Sequence, residues 1–126
     1  MQHKKRQALI LIAHGSKDPE WSSPFQTITN NVKKNWLKGP VELAFFELQK
    51  PLLETVIQML IDSGYKCIHV EPLLLANGFH LKNDLPKRVK NIISMHEGLN
   101  LTFGKPLINH KNIQRSICEV ILNPSN

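Results

Sequence analysis

Two histidines stand where apolar runs stop. His14 follows the apolar run of ALILIAHGSKDPEW, and His80 lies in EPLLLANGFHLKNDLP, 66 positions further on. An unperturbed imidazole is largely neutral at pH 7, so it can ligate a metal ion or accept a proton. A third polar group, Glu47, follows directly on the apolar run Val41–Phe46. Two imidazoles and one carboxylate suit a borderline divalent metal such as Co²⁺, Ni²⁺, Fe²⁺ or Zn²⁺. Gly15 and Gly78 would let the backbone approach a ligand closely and take up positive φ where a turn needs it. The remaining histidines read more plainly. His69, inside an apolar run, is expected to be a satisfied core or edge residue, and His3, His96 and His110 to be solvent exposed. His110 alone among these follows the last strand candidate and could line a site there.

These groups can meet only if the elements carrying them share one edge. Apolar runs of strand length (Ala8–Ala13, Val41–Phe46, Cys67–Leu75, Leu99–Phe103) alternate with segments of helical period. The first run does not alternate, which marks a strand buried on both faces. The helical segments run through Phe25, Ile28, Val32 and Trp36, then from Pro51 through Leu53, Val56, Ile57, Leu60 and Ile61 to a cap at Gly64. A third is expected to start at Asp84 with Pro86 and to continue through Val89, Ile92 and Ile93. The last bears Ile113, Ile117, Val120 and Ile121. This alternation predicts an α/β fold: one small doubly wound domain, with a four-stranded, mainly parallel sheet and helices on both faces. The expected strand order is 2-1-3-4. In such sheets ligands bind beyond the carboxyl ends of the strands where the order reverses, here between the first and third. The loops bearing His14 and His80 would face each other across that crevice, with Glu47 on the same rim.

The chain has 126 residues, 41% hydrophobic and 21% charged, which is the balance of one ordinary globular domain. The expected organisation is a basic tail at 1–7, the domain at 8–122 and a short tail at 123–126. Its longest clean apolar run, Ala8–Ala13, is far too short to span a membrane. It is also too brief for a signal peptide and lacks a small-residue cleavage site, so a cytoplasmic location is expected. Cys67 and Cys118 form no CxxC pair and read as inert core thiols. A net charge of +6 favours a polyanionic partner. The lysines are scattered and few aromatics lie among them, which argues against a stacking surface for nucleic acid.

Four stretches in order, LILIAHGSKDPEW, AFFELQKP, VEPLLLANGFHLKNDLP and FGKPLINH, resemble the short class II tetrapyrrole chelatases. These are the small sirohydrochlorin chelatases of the cobalamin, sirohaem and coenzyme F430 pathways. The resemblance extends from about residue 8 to about residue 122. It implies a chelatase-type fold and ATP-independent insertion of a divalent metal into sirohydrochlorin, with no permanently bound cofactor. It places the two active-site histidines on His14 and His80, both as metal ligands, and the acidic position on Glu47. It also implies a homodimer, since longer relatives hold two copies of the domain. Lys17 departs from the pattern, where an arginine often follows the HGS, and no histidine-rich insert is present.

Metal insertion into a tetrapyrrole strips water from the ion and releases two pyrrole protons. On that reading His14 and His80 ligate the metal, and one of them or Glu47 takes a proton. Loop amides around Gly15–Ser16 and Gly78–Phe79 would hold the macrocycle's carboxylates, with Lys17 and Lys82 adding charge, and the Phe79 ring either lies against the macrocycle or packs in the core. Cobalt is the first choice of metal, with iron and nickel next. Two other classes compete: a phosphohistidine carrier of the sugar-phosphotransferase type, and a non-enzymatic metal- or tetrapyrrole-binding protein. The carrier gives no role to a second histidine after the third strand. A histidine phosphatase would want an arginine where Ala13 stands.

Overall fold

A computed structural model describes residues 6–73 and 79–124, with the backbone alone described for 79–82. Four strands form one sheet: β1 (Ala8–Ala13), β2 (Val41–Phe45), β3 (Cys67–Pro72) and β4 (Asn100–Phe103). The order is β2-β1-β3-β4, and each neighbouring pair is parallel. This is the order and the fold class that the alternating pattern implied.

β1 is central because nothing in it needs water. All six of its residues are buried, and they divide by parity between two cores. Ala8, Ile10 and Ile12 face a layer built with Ala44, Phe46, Ile68, Val70 and the helices α2 (Leu53–Asp62) and α3 (Phe79–Met95). Leu9, Leu11 and Ala13 face Val41, Leu43 and Phe45, covered by Phe25 and Val32 of α1 (Ser23–Asn35). Helices therefore lie on both faces. Each fully buried Ile, Leu or Phe contributes roughly 1.5–3 kcal/mol, enough to fix β1 in place without polar help.

Several boundaries differ from the sequence reading. β3 ends at Pro72, although the Leu73 amide beyond it still donates to the Ile12 carbonyl of β1 at 2.7 Å. The rest of that predicted strand, Leu74 and Leu75, lies outside the described residues, as does the turn at Asn77-Gly78. β2 stops at Phe45, one residue short of the prediction. α3 begins at Phe79 and keeps Pro86 inside it, where the sequence suggested a start at Asp84. Proline favours the first helical turn, but Leu85 and Ile92 both pack on the core and hold the helix on either side of it. Trp36 falls just beyond α1, with its indole N–H donated to the Gln7 carbonyl at 3.0 Å.

The last helix, α4 (Lys111–Leu122), has no buried residue. Its apolar stripe lines an open groove of about 340 Å³, with Val120 66% and Ile121 69% exposed. Among the described residues no helix is long and apolar enough to cross a membrane.

Candidate metal and tetrapyrrole site

The parallel register sets Ala13 beside Phe45, so the next residues of both strands emerge together at the sheet's carboxyl rim. The pairing then changes character. Phe46 N–H donates to the Ala13 carbonyl at 2.9 Å, and Glu47 N–H donates to the His14 carbonyl at 3.0 Å. Successive amides of a regular strand point opposite ways, so two in a row toward one partner mean that the chain has turned at Phe46. Gly15, at φ +104°, completes the junction.

This junction brings His14 and Glu47 together, as the rim argument anticipated. His14 Nε2 lies 3.4 Å from Glu47 Oε1, with the two side chains 45% and 38% exposed. The other ring nitrogen, Nδ1, is 3.1 Å from the Gly15 carbonyl. That contact is satisfied when Nδ1 carries the proton and donates it. The Nε2 lone pair then faces a carboxylate oxygen, and two electron-rich atoms converge on one point. In that tautomer the two atoms form a donor pair that a metal ion would bridge; with the proton on Nε2 instead, the ring donates to Glu47. Phe46 supports the arrangement from the apolar side, its ring centroid 6.2 Å from that of His14.

Beside this pair opens a cleft of about 310 Å³ lined by Phe46, Glu47, Asp84, Lys87 and Arg88. Arg88 is its most constrained member. It donates from Nε to Glu54 Oε2 at 2.7 Å, from Nη2 to Glu54 Oε1 at 2.5 Å and from Nη1 to the Phe46 carbonyl at 2.6 Å. The same guanidinium lies over the Phe46 ring, 4.3 Å from its centroid. The hydrogen bonds from Arg88 hold the Glu54 carboxyl below its ordinary pKa, against the opposing effect of partial burial. Nothing local in the sequence joins Arg88 to Glu54, 34 positions away.

His80 is the second residue of α3 rather than part of a free loop, and its side chain lies outside what the structure describes, as do those of Phe79 and Lys82. Gly78 also lies outside the described residues. Lys17, three residues after His14, is exposed. The Ser16 amide, expected to be open to a ligand, donates to Gln49 Oε1 at 3.3 Å, and the Ser16 hydroxyl accepts from Asp18 N–H at 3.1 Å. Among the described residues no group of three or more His, Cys, Asp or Glu side chains forms a metal site.

Away from the rim, His69 is satisfied at both nitrogens, by Thr102 Oγ1 at 2.7 Å and Glu71 Oε2 at 2.9 Å. It is the hydrogen-bonded strand histidine that its position suggested. His110 differs from expectation: its Nε2 is buried and has no hydrogen-bond partner among the described residues. Cys118 is exposed and Cys67 only partly covered, so neither is a core thiol.

The family model of CbiX matches residues 8–123. Among curated relatives, the sirohydrochlorin ferrochelatase of Bacillus subtilis is 28% identical over 102 residues, 81% of this chain and 39% of that protein. The sirohydrochlorin cobaltochelatase of Methanococcus maripaludis is 32% identical over 92 residues, 73% of this chain and 61% of that protein. This chain thus spans between about two fifths and three fifths of these two relatives' lengths. A solved structure of a cobalamin biosynthesis CbiX protein from Marinobacter aquaeolei VT8 superposes with a TM-score of 0.81 at 26% identity. The match covers 94% of this chain and 96% of that one.

Proposed function

Since the chain belongs to the CbiX family, we propose that it is a sirohydrochlorin chelatase that inserts a divalent metal ion into that tetrapyrrole. The observation that carries this reading is the convergence of His14 Nε2 and Glu47 Oε1 at 3.4 Å on an open rim. Cobalt is the metal we assign, with iron and nickel as the alternatives the donor set also accepts. The cobalamin pathway is the one a cobalt enzyme would serve.

The metal is a substrate here, and the site fits a substrate better than a resident ion. A structural metal site closes its coordination sphere with protein ligands. His14 and Glu47, with His80 as the third donor, leave positions open for water and then for macrocycle nitrogens. Asp84 and Lys87 line the cleft next to Glu47.

As the macrocycle takes the ion, two pyrrole protons must leave. Glu47 and the histidine released by the departing metal accept them at the rim, where solvent carries them away. Gly15, Ser16 and Lys17 on one side, and Gly78, Phe79 and Lys82 on the other, hold the polycarboxylate edge of the substrate. Gln49 must release the Ser16 amide for that contact to form. The net charge of +6 favours the encounter. The working unit we infer is a homodimer, because one four-stranded domain offers half a cleft for a large ring.

Absorbance spectra of sirohydrochlorin incubated with Co²⁺, Fe²⁺ or Ni²⁺ test the proposal. Multiple turnovers above the spontaneous rate are expected, and His14→Ala with His80→Ala should lose about 100-fold or more of the acceleration. Stoichiometric uptake without turnover would instead mark a metal- or tetrapyrrole-binding protein. Full activity in the double variant would overturn the assignment of the histidines.

A further inference from the structure

The turn that delivers Glu47 departs from regular strand geometry. β2 is an edge strand, and its ladder to β1 ends in two successive amide donors, Phe46 and Glu47. That geometry swings the Phe46 carbonyl away from β1. The next residue, Leu48, sits at φ 69°, a left-handed conformation that leucine disfavours. Glu47 lies between a displaced carbonyl and a strained residue, and its carboxylate is partly exposed.

We propose that Arg88 is the positioning residue that fixes Glu47 for metal binding. It holds the preceding residue in two ways, by donating to the Phe46 carbonyl at 2.6 Å and by lying over the Phe46 ring at 4.3 Å. Its own direction is set by two hydrogen bonds to Glu54 on α2. A planar guanidinium can serve a carboxylate, a carbonyl and a ring face together, which an ammonium cannot. Arg88 belongs to α3, the helix whose second residue is His80. One side chain therefore ties the helix bearing the proposed second histidine to the turn bearing the carboxylate. Residues that orient metal ligands from behind typically change metal affinity or activity by about 10-fold to 100-fold when removed.

The inference rests on the chelatase reading, and a double-mutant cycle separates the two. Arg88→Met, Glu47→Gln and the double variant are compared with the wild type by titration with Co²⁺ alone and by turnover with sirohydrochlorin. Arg88→Met is expected to weaken Co²⁺ binding and lower kcat by about 10-fold or more, leaving KM for the tetrapyrrole within about twofold. In the Glu47→Gln background the same change should cost less than about twofold, because the residue it positions is gone. Arg88→Lys, which keeps the charge and loses the planar fork, should bind and turn over like Arg88→Met, and it keeps the test open if Arg88→Met does not fold. An equal loss in both backgrounds would overturn the positioning role and reduce Arg88 to a structural residue. So would an Arg88→Lys variant indistinguishable from wild type. Coupled losses in Co²⁺ affinity without any turnover would sink the chelatase reading and leave the role of Arg88 standing. Neither binding nor turnover in the wild type would sink both.

Discussion

Gly15 and Glu47 touch through their backbones: a Cβ built on Gly15 would stand 1.8 Å from the Glu47 carbonyl oxygen. No side chain fits there, and φ at Gly15 is +104°. The glycine after His14 is thus required by the junction that brings imidazole and carboxylate together, whatever a ligand asks of it. Gly15→Ala is expected to cost more than about 2 kcal/mol, combining the left-handed penalty with the collision. Urea unfolding measures the loss. Because the collision pushes the Glu47 backbone away from His14, Co²⁺ affinity should fall as well, even at temperatures where the variant stays folded.

The Glu54–Arg88 pair gives the protein an acid-sensitive link. The Glu54 pKa is lowered in the folded state from its ordinary 4.5, so the pair's contribution is fully present above that value. It is lost as pH falls through the lower folded value. Glu54 is 43% exposed on its side chain, which limits the contribution to about 1 kcal/mol or less. Stability curves of wild type and Glu54→Gln should therefore be separated by a constant offset at neutral pH and converge below pH 4.5. A difference that grows on acidification would contradict the assignment.

The fold was legible because its signals are collective. Six apolar residues in a row, Ala8 to Ala13, have the length and pattern of a strand buried on both faces, and the position of His14 at the rim follows from where that run ends. Glu47 was legible for the same reason, at the end of β2. Arg88 was not, since its partners Glu54 and Phe46 lie 34 and 42 positions away and meet it only after three elements have packed. The start of α3 was misread because Pro86 resembles a first-turn proline, while the packing of Leu85 and Ile92 decides the helix. The periodicity of Ile113, Ile117, Val120 and Ile121 gave the helix α4, but periodicity alone does not say what covers its stripe.

That stripe supplies a test of the dimer. Ile113, Ile117, Val120 and Ile121 line an open groove on a helix with no buried residue. We take this stripe as the apolar surface that a second copy would cover in the proposed homodimer. Ile117→Asp places a charge in the stripe and should shift the mass measured by light scattering from dimer to monomer, with the circular dichroism spectrum unchanged. A wild-type chain that is monomeric while turning over would remove the dimer from the account.

The central claim is that His14, Glu47 and His80 hold one ion at the sheet's rim. Cobalt-edge X-ray absorption of the protein loaded with a single equivalent of Co²⁺ reads the ligands directly. The account predicts scattering from two imidazoles in the wild type, from one in His14→Ala and from one in His80→Ala, with oxygen filling the vacated positions. The same imidazole scattering in all three proteins would place the metal elsewhere and contradict it.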